Sequence, residues 1–257
     1  LVGGISVYRD FNDWYKRRGV LLANYLLPEF DKFESVIGSL YQGKNFEQEV
    51  ASAIGPIISL VSASQNFENL DGTPEVKLPG FAMIFDLNDT EKGARFFRVM
   101  FPAIMTIANY ESDDLKRQAW AIAAEAYKST SLTYMKFLNK PKGNQLPLLY
   151  NFQPVAVQVG DKFVLSSSLR LAKSLVDALQ KPGRNAARAN RNFNCEIQSI
   201  ALARVVYDNR EHLMKQTVQQ GYTVAQAKWG LDTAFQVLSA TEFLRLSTQV
   251  FKNKLQM

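Results

Sequence analysis

The apolar positions change period along the chain, and each change marks an element. Trp14, Leu21, Leu22, Tyr25 and Leu26 are spaced for one face of a helix that Pro28 interrupts. Phe30, Phe33, Val36, Ile37 and Leu40 then recur at i, i+3, i+4 and predict a second helix ending at Gly43. A third, short helix is expected over 46–54, closed by Gly55-Pro56. The first fifty-odd residues therefore read as helical. At Ile57 the pattern shifts to the β-branched run IISLVSASQNF, a strand followed by the turn residues Asp71-Gly72 and Pro74. A second strand, 81–87, follows Pro79-Gly80 and is expected to pair with the first antiparallel.

Asn88, with Glu91 three positions on, reads as a capping box opening a helix. That helix would bury Phe96, Val99, Met100, Ala103, Ile104 and Ile107, an apolar surface nearly all round, and so pack between two layers. Pro102 removes one of its backbone donors. Beyond Tyr127, the alternation of Leu132, Tyr134, Lys136 and Leu138 predicts a strand. A hairpin over 152–166 turns at Gly160-Asp161, and a helix over 169–180 carries Ala172, Leu175, Val176 and Leu179 on one face. After the polar stretch RNAARANRN, Phe193, Cys195 and Ile197 alternate as a strand with Cys195 facing inward. Helices over 199–219 and 223–239 and a strand over 243–250 complete the pattern. The chain stops as another strand begins, so an edge hairpin or a longer native chain is expected.

Strands separated by helices, with hairpin-length turns, imply an α+β fold: a mostly antiparallel sheet with helices packed on it. Residues 1–56 read as a helical segment packed on an α+β domain of 57–257, with a subdivision near 181–192. Helices leading into a strand near 8–66 and again near 199–250 hint at internal duplication.

Composition narrows the function classes. With 47% hydrophobic and 21% charged residues, the chain has an ordinary globular balance. Its formal charge of +6 comes from 30 basic and 24 acidic residues, a mild excess that favours anionic partners only weakly. One cysteine allows no internal disulfide, and one histidine rules out zinc sites built from several Cys and His ligands. No segment reaches transmembrane length; the apolar stretch near 96–108 is too short and is interrupted by Arg98 and Pro102. The phosphate-loop, dinucleotide and calcium-loop spacings are absent, and no nucleic-acid-binding motif occurs. Nothing in the sequence calls for a cofactor or a metal.

A few groups could carry chemistry. Arg204, Asp208 and His212 are spaced at i, i+4 and read as an exposed ladder on one helix. Asp208 could orient His212 as a base, but no G-x-S-x-G elbow supplies a nucleophile, so no catalytic set is assigned. Ser166, Ser167 and Ser168 lie where a strand becomes a helix; they read as caps, with an anion site at the helix N-terminus as the sharper alternative. Asp113-Asp114 reads as a solvated pair. Trp14, Tyr15, Lys16, Arg17 and Arg18 form an aromatic-basic knot. Lys181, Arg184, Arg188 and Arg191 punctuate a segment without acidic residues and form a candidate anion-binding set. Arg210 falls on the apolar face of its helix, where its stem would cover core or its head would meet a buried carboxylate.

The segments AIGPIISLVSASQNF, LPGFAMIFDLND, VGDKFVLSSSLRLAKSLVDAL and the late LRLST…NKL have the order found in uncharacterised bacterial proteins predicted to lie in the cell envelope. The chain resembles these over most of 50–257. The resemblance implies an α+β fold and export to the periplasm or envelope, with the cytoplasm as the alternative, and brings no catalytic residue. Three functions are then in play. The first is a non-enzymatic extracytoplasmic binding or structural module, its partner an anionic polymer or envelope component. The second is a hydrolase using serine or carboxylate chemistry. The third is an anion-binding module centred on 181–191.

Overall fold

The computed structural model describes residues 1–68, 70–114, 120–138, 143–181, 192–251 and 254–256. Four sequence expectations fall wholly or partly outside the described residues: much of the loop after residue 138, all but the last residue of the polar stretch 184–192, the turn at 252–253 and the end at Met257. The side chains of Asp113 and Asp114 also lie outside.

The fold is α+β, as expected, and its centre is one antiparallel sheet. In chain order its strands are β1 (Gly3–Tyr8), β2 (Ile54–Ala63), β4 (Gly80–Leu87), β5 (Trp120–Tyr127), β6 (Thr130–Phe137), β8 (Val155–Val159), β9 (Lys162–Ser166), β10 (Phe193–Gln198), β11 (Phe243–Phe251) and β12 (Lys254–Gln256). They lie in the order β12-β11-β10-β1-β2-β4-β9-β8-β6-β5. Two short segments, β3 (Thr73–Pro74) and β7 (Gln145–Leu146), pair parallel as a separate clip. The helices are α1 (Phe11–Lys16), α2 (Arg18–Leu21), α3 (Leu27–Leu40), α4 (Thr90–Asp114), α5 (Leu169–Leu179), α6 (Ser199–Asp208), α7 (Arg210–Gln219) and α8 (Val224–Ala240).

Alternation along the central strands sends side chains into two cores, one on each face. On β9, Phe163 enters the core under α4 and Val164 the core under α5. The α4 core is aromatic: Phe97 stacks on Phe163 with centroids 4.7 Å apart and tilts against Phe85 at the same distance. The α5 core is aliphatic, with Val155, Val157 and Val164 meeting Leu171, Ala172 and Val176. Gly93 lets the first turn of α4 close on the sheet, because a Cβ there would sit 2.7 Å from Leu87 Cδ2.

Several expectations are corrected. The segment read as helical from its start opens with a strand: β1 pairs with both β2 and β10 near the middle of the sheet. Asp89 caps α4, not Asn88; its Oδ1 accepts from the backbone N–H of Glu91 and Lys92, while Asn88 Nδ2 donates to Ile54 O. Only the first half of α4 is enclosed. Phe96, Phe97, Met100 and Phe101 are buried, whereas Ile104 and Ile107 are exposed. Residues 199–219 form two helices broken at Asn209, which is buried and ties α6 to the loop before β4: its Oδ1 accepts from Lys77 N and its Nδ2 donates to Lys77 O. That break turns Arg210 outward, where its guanidinium lies 4.3 Å from the Tyr207 ring centroid. Cys195 is half-exposed rather than buried in a core.

Candidate ligand-binding groove

The run KFVLSSS carries β9 straight into α5, and the three serines make that junction rigid without capping the helix. Ser166 Oγ donates to Ser168 O and accepts from Ser168 N, while Ser167 Oγ accepts from Phe81 N. Ser168 stands at the N-cap position in extended backbone but accepts no hydrogen bond from the first turn. The expected capping role is thus corrected: the hydroxyls are spent on the strand end, and the first N–H groups of α5 keep their donors unclaimed by any side chain. Unclaimed donors at a helix N-terminus carry a partial positive charge and favour anions.

These donors border an open groove of about 960 Å³ between α5, the β5–β6 hairpin and the segment 65–70. Its sides come from distant parts of the chain. Gln65 Nε2 donates to Leu78 O and to Asn151 O, and Gln153 N donates to Ser167 O. These bonds bring the 65–70 segment and the 3-10 turn Leu148–Asn151 against the start of α5. Asn151 is the knot: its Nδ2 donates to Val76 O and Leu148 O, and its Oδ1 accepts from Leu78 N.

Two features of the lining are unsatisfied. Tyr150 is 94% buried, and its hydroxyl has no hydrogen-bond partner; burial alone pushes its pKa up. A buried hydroxyl left without a partner carries a free-energy cost of about 1–3 kcal/mol. Arg170 and Lys136 also line the groove, and neither has an ion-pair partner among the described residues. Of the other charges there, Glu68 is an exposed carboxylate on the 65–70 side with no ion-pair partner among the described residues, and the rest are paired. Lys173 lies 2.6 Å from Glu125 Oε1, an ion pair whose angles fall short of a directed hydrogen bond. Asp177 pairs with Lys128 and accepts from Tyr127. The Lys128 bond holds the Asp177 carboxyl below the usual carboxylate range, helped by Tyr127 and Lys181 against partial burial. Phe67, Phe137 and Leu138 add an apolar wall.

The other candidate groups do not converge there. Of the proposed anion-binding set, Lys181 is exposed just past the end of α5, and Arg184, Arg188 and Arg191 lie outside the described residues. His212 is not on an exposed ladder with Asp208. It is part-buried, with Nδ1 3.6 Å from Glu75 Oε1, too long for a hydrogen bond and an ion pair only when the ring is protonated. Asp208 lines an adjoining pocket of about 470 Å³ beside Lys77, which shares Gln65, Phe67, Glu68 and Leu70 with the groove. The Trp14–Arg18 knot is absorbed by the fold. Arg18 lies over the Tyr15 ring at 4.0 Å and 3.9 Å from Glu34; Arg17 and Lys16 face Asp13 and Glu47. No group of three or more His, Cys, Asp or Glu residues converges to hold a metal among the described residues, and no described helix is long and apolar enough to cross a membrane.

Arg170, Lys136 and Tyr150 were missed in the sequence because they are far apart in it and none sits in a motif. The only local signal was the serine run, and its significance lies in what it fails to cap. Comparison with family models, with curated proteins and with solved structures found no match.

Proposed function

We propose that this chain is a non-enzymatic binding module that holds a small ligand with an anionic head and an apolar body in the groove beside α5. The observation that carries the reading is the coincidence of three unsatisfied features in one groove: the uncapped α5 N-terminus, the unpaired Arg170 and Lys136, and the buried, partnerless Tyr150 hydroxyl. Arg170, Lys136 and the α5 N-terminus gain a partner when a phosphate or carboxylate enters, the closed-off Tyr150 hydroxyl gains one once the lining shifts to admit the anion, and the wall of Phe67, Phe137 and Leu138 receives the apolar part. The lining has neither histidine nor cysteine; of its carboxylates, Asp177 is engaged by Lys128 and Tyr127, and Glu68 stands on the 65–70 side, so the anionic head is placed by the α5 N-terminus, Arg170 and Lys136. An extracytoplasmic setting is part of the proposal and is supported by the resemblance of the segments quoted above to envelope proteins.

Phenyl phosphate is a suitable probe, with phenol as its uncharged counterpart. Calorimetric titration should show phenyl phosphate binding and phenol not binding. Arg170→Gln should weaken the affinity about tenfold, the worth of one charge-assisted contact. Equal binding of phenol and phenyl phosphate, or an affinity unchanged by Arg170→Gln, would overturn the assignment.

A further inference from the structure

The half of the sheet that α4 does not cover is apolar on the α4 side and, among the described residues, bare. Pairing register sets Leu246, Cys195, Ile5, Leu60 and Met83 side by side across β11, β10, β1, β2 and β4. All but Cys195 are exposed large hydrophobics, at 37% to 51%. The row two residues further along, Leu244, Ile197, Gly3, Ser62 and Phe81, lies on the same side, and Leu244 and Phe81 are exposed as well. Neither row has a charge. The opposite side of β11, β10 and β1 is polar, while on β2 and β4 it passes into the α5 core through Val61, Ala82 and Ile84. Ser247, Asn194, Ser6 and Ser59 form one row, with Ser6 and Ser59 hydrogen-bonded at 2.7 Å, and Arg245 pairs with Glu196 at 2.7 Å. An antiparallel sheet with one polar and one apolar side is built to have the apolar side covered.

We infer that this face packs against the same face of a second copy of the chain. Around a twofold axis every residue meets its own kind or a near neighbour, so charges in such a patch repel their symmetry mates. Both rows are free of charge and meet that requirement. The face is also continuous with one already covered. Met83 pairs in register with Leu165, which packs on the α4 core, so the row runs on beneath α4. A second sheet laid about 10 Å above would fill the space beside that helix. Five strands about 4.8 Å apart and about five residues of each give a projected area on the order of 400 Å² per copy. A pair of such faces lies at the small end of specific interfaces, so the dimer is reversible and concentration-dependent. An axis through β1 places the two Cys195 residues within about 15 Å of each other.

The inference is independent of the α5 groove and is tested on the unliganded full chain. Light scattering over a series from about 1 μM to about 1 mM should show the mass rising towards twice 29.0 kDa. A bismaleimide should cross-link the dimer through Cys195, the only cysteine, and Cys195→Ser should abolish the product. Leu60→Lys places a charge on an already exposed position. It should leave the thermal unfolding temperature unchanged and keep the chain monomeric throughout. Leu246→Lys, at the other end of the row, serves the same purpose should Leu60→Lys not fold. A wild-type chain that stays monomeric across the series overturns the inference, as does association that both variants leave intact. Monomers that instead bind phosphatidylcholine vesicles through this face would assign it to lipid, and also overturn it.

Discussion

Tyr127 donates its hydroxyl hydrogen towards both carboxylate oxygens of Asp177, at 3.2 Å each, and so joins the end of β5 to the third turn of α5. Lys128 reaches the same carboxylate from the β5–β6 turn, and Gln180 Nε2 donates to Ser129 Oγ one turn further on. One wall of the groove is therefore held to the other at a single corner, by polar contacts that stay partly open to water.

Asp177→Asn should loosen that corner. The carboxyl is held below its usual pKa chiefly by the Lys128 bond, so its contribution is present above the unfolded carboxylate value near 4 and is lost as pH falls through the lower folded value. More than a third of the side chain is open to water, so solvent screening keeps the effect on global stability small. Thermal unfolding should place Asp177→Asn slightly below the wild type at pH 7, and the two should converge as the pH falls below about 4. A gap that widens in acid would show that the carboxylate is not stabilised in the folded state.

Asn151 presents a different balance, because it is buried and every polar atom of its side chain is used. Asn151→Ala leaves the N–H of Leu78 without its acceptor and two carbonyls without their donor. Leaving such buried groups unpaired should destabilise the fold by about 2–4 kcal/mol. Asn151→Asp keeps the size but supplies no N–H to Val76 O and Leu148 O, and should cost a comparable amount. Urea unfolding measures both. Since Gln65 also bonds to the Asn151 carbonyl, the 65–70 wall should become more open to proteolysis in either variant.

Elements with a clean period were legible in the sequence. The β8–β9 hairpin and α5 sit where alternation and the Gly160-Asp161 turn put them, because a buried strand pair and a one-faced helix impose strict spacing. β1 was not legible: GGISVY opens with two glycines, and its exposed and half-buried positions do not alternate cleanly. β5, with the sequence WAIAAEAY, is rich in alanine, a helix former, and is held in the sheet by its register with β6 rather than by propensity. Cys195 was read as inward because its strand alternates. The alternation was correct, but one side of that strand faces the bare patch, and no local pattern tells a covered face from an uncovered one. The groove was illegible for a related reason. Lys136, Tyr150 and Arg170 come from three elements, and only tertiary structure brings them together.

The Tyr150 hydroxyl separates a site kept for binding from an accident of packing. Buried against Phe137, with ring centroids 4.5 Å apart, the phenol gains apolar contact while its hydroxyl finds no partner. Tyr150→Phe retains the ring and removes the unsatisfied group, so the variant should be more stable than the wild type by about 1–2 kcal/mol. The urea midpoint would rise at an unchanged m-value. If the hydroxyl is reserved for an anion, the same variant should lose affinity for phenyl phosphate by about tenfold or more, the worth of one hydrogen bond to a charged acceptor. Stability gained together with affinity lost is the signature of a residue kept for function at the expense of the fold. A Tyr150→Phe variant that gains stability and binds phenyl phosphate as well as the wild type would remove the hydroxyl from the site and leave the groove resting on Arg170, Lys136 and the α5 N-terminus.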